Sequence, residues 1–247
     1  MKREAGVTLI ELLIAVTLVA LLAVGMMVAI RVGLSALNKS NAKLMANRRV
    51  ASVERILESE LGDVIPVKAK CMPTPDWPVL TIPFFQGDPQ AMRLVSSFSL
   101  QQASRGVPMI LEFLVIPGEE GRGVRLVVNE HLYTGPIAAG AFCAGQVPDL
   151  TGMMQPVFLP IETGSFSFVL ADKLAFCRFS YRFLPPPTNP LTPLPAIWFI
   201  HWPKPFLPNA IRVEMAPLEP DSARVQPVTL TVPIRVNRDP TKTDYDY

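Results

Sequence analysis

Few residues in this chain have the type and spacing to do chemistry, and one stands where charge is expensive. Glu11 is a lone carboxylate inside an apolar stretch. A short cationic leader, Met1-Lys2-Arg3-Glu4-Ala5, precedes it and ends at Gly6, which is followed by Val7. From Leu12 to Ile30 there is no charge at all. Those 19 residues would make about one bilayer crossing as a helix. An ionisable side chain in lipid costs roughly 2.5–3.5 kcal/mol at a helix centre, so it marks function by default and calls for a partner of opposite charge.

Elsewhere the candidates for catalysis are sparse. His131 and His201 are the only histidines, and each reads as a structural histidine with its hydrogen bonds met. Glu119-Glu120 lies in a glycine-rich turn and reads as solvated rather than as an acid/base pair. No G-x-S-x-G elbow, phosphate-binding loop or dinucleotide fingerprint is present. The three cysteines, Cys71, Cys143 and Cys177, form no C-x-x-C pair, and no histidine sits at ligand spacing. They admit one disulfide with a leftover thiol, or three unrelated buried thiols. The calcium-loop pattern is missing, and the tail Thr243–Tyr247, with two carboxylates, is expected to fray. The expectation is therefore no metal, no cofactor, no small-molecule substrate and no enzymatic activity.

Proline placement shows which elements must carry these residues. All 26 prolines lie at or after Pro66. Proline breaks helix interiors because it lacks an N–H and clashes with the preceding turn. Helix is thus permitted throughout the first 65 residues and nearly excluded afterwards. Beyond Ile30 the apolar residues thin into a stripe: Leu34, Leu37, Leu44, Met45, Val50, Val53, Ile56, Leu57 and Leu61. The steps of three, four and seven describe one buried face of a helix. After Pro66 the expected strands are Met92–Ser96, Ile110–Ile116, Val124–Val128, Phe166–Val169, Ala175–Phe183, Ile197–Trp202, Ala210–Met215 and Val228–Val236. Ile110–Ile116 and Val124–Val128 flank a loop from Pro117 to Gly123 and read as a hairpin. In 177–183, Phe179, Tyr181 and Phe183 alternate with Arg178, Ser180 and Arg182, so they face opposite sides of a sheet.

The chain has 247 residues with a net charge of +2, enough for an anchor and one sizeable domain. Basic and acidic residues are balanced after residue 65, at 15 of each. No basic face is implied, and nucleic acid is not an expected partner. An ordinary signal peptide fits poorly: the apolar core is too long, and Gly6, the plausible small residue, comes before it. Lys2 and Arg3 flank one end of the apolar run, while Arg31, Lys39, Lys43, Arg48 and Arg49 flank the other. The positive-inside rule alone would place the C-terminal part in the cytoplasm.

Gly6-Val7-Thr8-Leu9-Ile10-Glu11-Leu12-Leu13 resembles the prepilin motif of type IV pilins and type II secretion pseudopilins. The resemblance implies cleavage between Gly6 and Val7 by a membrane prepilin peptidase, with N-methylation of Val7. Phenylalanine is usual at the first mature position, and valine stands there in this chain. Glu11 would act in assembly and register. The new α-amine and a neighbouring subunit's carboxylate are each costly in lipid, and neutralise when paired. The implied fold is α+β and pilin-like: 1–6 leader, 7–30 membrane helix, 31–65 amphipathic continuation, and 66–247 a β-rich periplasmic domain.

The order of segments from Phe168-Val169-Leu170-Ala171-Asp172-Lys173-Leu174 through Trp198 and Trp202 to Leu207-Pro208-Asn209-Ala210-Ile211 is similar to J-type minor pseudopilins. It is also similar to W-type minor pilins of type IV pili. The J-type resemblance implies a place at the tip of the pseudopilus, with I-, K- and H-type minor pseudopilins and the major pseudopilin as partners. It also implies the inner membrane as location and the periplasm for the head, against the charge rule. A signal-anchored extracytoplasmic enzyme or binding module is the alternative of a different class.

Overall fold

The computed structural model describes residues 9–71, 79–99, 104–148, 152, 154–186, 194–218 and 227–235. Gly6 and Val7, Trp77, the end of the expected last strand at Val236, and the tail lie outside them. The chain divides into two compact units, 1–49 and 50–247.

A single helix, α1 (Leu9–Gly62), supplies all the described structure of the first unit. Nothing in its sequence interrupts it: there is no proline, and its glycines are Gly25, Gly33 and the terminal Gly62. The last turns of α1 belong to the second unit. There Val53, Leu57 and Leu61, at four-residue spacing, are buried together with Val64 just beyond the helix. Each contributes about 1.5–3 kcal/mol by leaving water. These are the upper members of the stripe read from the sequence.

They pack on one face of an eight-stranded sheet. The strands are β3 (Gln86–Gly87), β4 (Ala91–Ser99), β5 (Ser104–Pro117), β6 (Val124–Leu132), β9 (Phe168–Phe183), β10 (Ile197–Phe199), β11 (Ala210–Pro217) and β12 (Val228–Pro233). The order is β12-β11-β9-β6-β5-β4-β3, with β10 also paired to β9, and every pairing is antiparallel. Alternation along the strands sends Leu94, Leu111, Phe113, Leu126, Val128, Phe179, Tyr181 and Val213 into the core under α1.

Two small antiparallel sheets, β1 (Lys68–Cys71) with β2 (Leu80–Pro83) and β7 (Cys143–Pro148) with β8 (Met154–Phe158), build a second cluster. That cluster joins Ala69, Cys71, Ile82, Phe84 and Cys143 to Val95 and Ile110 of the large sheet. A one-turn helix, α2 (Pro136–Gly140), sits so close to β1 that a Cβ on Gly140 would lie 1.9 Å from the Lys70 carbonyl oxygen.

The fold is α+β, with the long apolar helix followed by a β-rich domain, as the sequence implied. Three expectations need correcting. Phe166–Val169 and Ala175–Phe183 are not separate strands. Phe168 and Val169 of the first join the second in the 16-residue β9, leaving Phe166 and Ser167 outside it, and β9 adjusts by irregular pairing with β6 and a positive φ of 55° at Lys173. The expected strand to Trp202 stops at Phe199, because the Trp202 N–H turns back to the Gly87 carbonyl at 2.8 Å. Five short strands, β1, β2, β3, β7 and β8, were not anticipated, and four of them carry or adjoin prolines or glycines. The hairpin of β5 and β6 is as read, with a 3₁₀ turn at Glu119–Gly121 in its loop.

Candidate functional site

Glu11 lies in the first turn of α1 and is exposed. Leu9–Leu34 forms a 26-residue span containing an 18-residue window with a mean hydropathy of 2.8, and none of that window is buried within the chain. Its large side chains, from Leu9 to Leu34, point outward all round the helix. Such a helix suits lipid as its solvent. The one described side-chain hydrogen bond in the span runs inward: the Thr17 hydroxyl donates to the Ile14 carbonyl at 2.9 Å. That satisfies the hydroxyl where no water is present.

With this geometry in place the comparison with known families is informative. Residues 1–27 match the prokaryotic N-terminal methylation motif. This prepilin-type motif covers 27 of the 247 residues and supports a type IV pilin-like reading of the chain. Such a motif implies processing by a prepilin peptidase and assembly with other pilin-like subunits. The apolar helix fits a single-pass membrane anchor. No curated protein matches the chain.

The other residues singled out in the sequence are dispersed. His131 Nε2 lies 3.1 Å from Glu112 Oε2 on the large sheet. His201 Nδ1 lies 3.0 Å from Asp88 Oδ1. Each histidine thus has a carboxylate neighbour of its own, and the two do not share a site. Glu119 and Glu120 do not act together: Glu119 pairs with Arg125, while Glu120 faces Arg122 at 3.5 Å in solvent. Cys71 and Cys143 form a disulfide between β1 and β7. Cys177 is buried and free, and burial pushes its thiol up to about 12. Among the described residues no group of three His, Cys, Asp or Glu side chains could hold a metal ion.

Two polar clusters in the head could not be read from the sequence. On the sheet face away from α1, Arg93 and Glu112 are almost fully buried and joined by Nε–H donating to Oε1 at 2.8 Å. Arg93 also donates to Gln86 Oε1 at 2.7 Å and to the Leu159 carbonyl at 3.1 Å. Its guanidinium stacks near Phe142 and Phe158. Asn129 donates to Glu112 and to the Glu162 carbonyl, and accepts from the Ser167 hydroxyl. The result is a polar clamp that holds the chain between β8 and β9 against the large sheet. Burial lowers the Arg93 pKa, and Glu112 partly offsets that.

On the helix side, Glu60 is completely buried. Among the described residues neither of its oxygens has a hydrogen-bond partner of normal geometry, although the Ser96 hydroxyl favours the charged form. Desolvation first, then the carboxylates of Glu130 and Asp63, push its carboxyl up to about 8.

Proposed function

We propose that this protein is a minor pseudopilin of a type II secretion system, of the J type. It would act in assembly at the tip of a short periplasmic filament that supports protein export across the outer membrane. Its role is structural rather than enzymatic. The observation that carries the reading is the methylation motif over residues 1–27, opening directly into an apolar helix exposed on all sides, with Glu11 near its start. Prepilin peptidase would cut between Gly6 and Val7 and methylate Val7. Glu11 would pair with the methylated α-amine of a neighbouring subunit and set the stagger of packed helices. Partners are the I-, K- and H-type minor pseudopilins and the major pseudopilin.

The disulfide supports an extracytoplasmic head, because such bonds persist in oxidising compartments and are rare in the cytosol. It weighs against the orientation that Arg31 to Arg49 alone would suggest. The segment Leu207-Pro208-Asn209-Ala210-Ile211, whose resemblance is shared by J-type minor pseudopilins and W-type minor pilins, opens β11 at a junction of three strands. Asn209 donates its N–H to the Arg182 carbonyl and accepts from Leu184 N–H and Ile234 N–H.

Co-expression with a prepilin peptidase and intact-mass measurement tests the reading. The expected product has lost residues 1–6 and gained one methyl group. An unprocessed chain overturns it. Co-purification with I- and K-type partners supports the pseudopilin; assembly into a type IV pilus instead would make it a W-type minor pilin. A substrate turned over by the full chain would favour the anchored enzyme.

A further inference from the structure

The last turns of α1 are fastened to β4 just past the helix end. Ile65 N–H donates to the Val95 carbonyl at 2.8 Å, and Ser97 N–H donates to the Asp63 carbonyl at 3.1 Å. Val64 and Ser96 form an antiparallel bridge between these two bonds. Ahead of this clasp, Val53, Leu57 and Leu61 seat the helix on the sheet by apolar contact. Glu60 stands in the same last turn and is as completely buried as Leu57 and Leu61.

The surroundings of Glu60 suit a neutral acid and oppose a carboxylate. Among the described residues neither of its oxygens meets a hydrogen-bond partner of normal geometry. The charged groups that face it are both acids, Glu130 on β6 and Asp63 past the helix end. In register, Glu130 stands opposite Leu111 on β5, and Leu111 opposite Leu94 on β4. Leu94 and Leu111 belong to the core under α1, so Glu130 lies on the sheet face that receives the helix. Ser99 Oγ donates to Glu130 Oε2 at 3.2 Å. The Ser96 hydroxyl favours the charged form of Glu60, but burial and the two acids outweigh it and push the carboxyl up to about 8.

Ionising Glu60 in place would bury a charge beside two others of the same sign, whereas ionising it in water costs nothing of the kind. The chain can reach water there without dismantling the sheet. Lifting the helix end breaks the two clasp bonds and the seating of a few apolar side chains, and it leaves every strand pairing of the large sheet in place.

We propose that Glu60 is a proton-operated latch at the junction of α1 with the sheet. Protonated, it lets the last turns of α1 stay seated on β4 to β6. When its proton leaves to solvent, residues 57–65 lift so that the carboxylate is hydrated, and the sheet stays folded. The lifted form ionises near the ordinary value of 4.5 and the seated form near 8, so lifting becomes easier with each step of pH between them. The latch rests on the head's own residues and holds whether or not the chain enters a filament.

The test is hydrogen exchange by mass spectrometry on the full chain in detergent micelles, from about pH 5 to about pH 9, corrected for the intrinsic pH dependence of amide exchange. Peptides covering the end of α1 and the clasp report the latch, and peptides covering β5 and β6 report whole-head unfolding. The clasp should open more readily than β5 and β6 at every pH. Its opening constant should rise about tenfold per pH unit up to about pH 8, the slope for one proton, and level off above. A clasp that exchanges no faster than β5 and β6 opens only with the whole head and overturns the latch. Glu60→Gln and Glu60→Met, one polar and one apolar filling of the same space, should each abolish the rise; its persistence in a folded variant of either kind assigns the proton elsewhere and overturns the role of Glu60. In Glu130→Gln the rise should stop at a lower pH, because one of the two repelling charges is gone. An unchanged plateau there overturns the part given to Glu130.

Discussion

Reducing the Cys71–Cys143 bond should destabilise the head by an amount set by the loop it closes. The two cysteines are 72 residues apart in sequence. Cross-linking a loop of that length removes chain entropy from the unfolded state worth about 4 kcal/mol. Domains of 150–250 residues lose roughly 2–4 °C of melting temperature per kcal/mol, and the unit 50–247 falls in that range. The expected drop is therefore about 8–16 °C. Both sulfurs lie in the smaller cluster with Phe84 and Ile82 rather than under α1, so the reduced protein should still fold at room temperature. The assay is thermal unfolding of the full chain in detergent micelles, followed by circular dichroism with and without a phosphine reductant. Reduction is preferable to Cys71→Ser, which would add the cost of burying a hydroxyl. Superposable melting curves would refute the reasoning. So would alkylation of Cys71 or Cys143 in the unreduced protein: unfolding without reductant should expose one reactive thiol, Cys177, and unfolding with reductant all three.

Glu60 makes stability depend on pH in a defined direction. The folded chain keeps its proton up to about pH 8, whereas the ordinary value is 4.5. The folded state therefore binds more protons across that window, so stability falls from pH 4.5 to about 8 and levels off above. Glu60→Gln should flatten that slope in urea titrations and be more stable than the parent at pH 8; an unchanged slope would locate the effect elsewhere. Arg93→Met leaves Glu112 buried without its main partner and should cost about 3–5 kcal/mol. It should also make the chain between Leu159 and Ser167 newly sensitive to protease, whereas general destabilisation would open the whole head at once. Glu11→Ala should leave the head folded and membrane-bound but impair entry into the filament, measured by cross-linking to neighbouring subunits; normal incorporation contradicts the register role.

The sequence made the helix legible because its signals were long and redundant. An uncharged stretch, the absence of proline and an apolar stripe all agree from Leu9 to Leu61. Long strands with period-two alternation were also legible, as in Cys177–Phe183, where Cys177, Phe179 and Tyr181 are buried and Arg178 is exposed. The missed strands lack that redundancy. Lys68–Cys71 and Leu80–Pro83 are four residues each, and the contacts of β1 are distant in sequence, a disulfide to Cys143 and the close approach of α2, rather than marked by local pattern. The clamp was invisible for a related reason. Arg93, Glu112 and Asn129 lie on three neighbouring strands and meet only through register. Each looks in isolation like an ordinary outward-facing polar residue. A signal did exist: all three interrupt strongly apolar strands.

The polar groups that sequence reading overlooked fall into two kinds, and the distinction bears on function. Arg93 is surrounded by acceptors, so its burial is compensated within the chain and its role is to hold the head together. Glu60 is the second kind: it is completely buried, and neither of its oxygens has a hydrogen-bond partner of normal geometry among the described residues. Its cost is met by the proton it keeps up to about pH 8, so its burial registers as a pH-dependent stability rather than as a bond holding the head together.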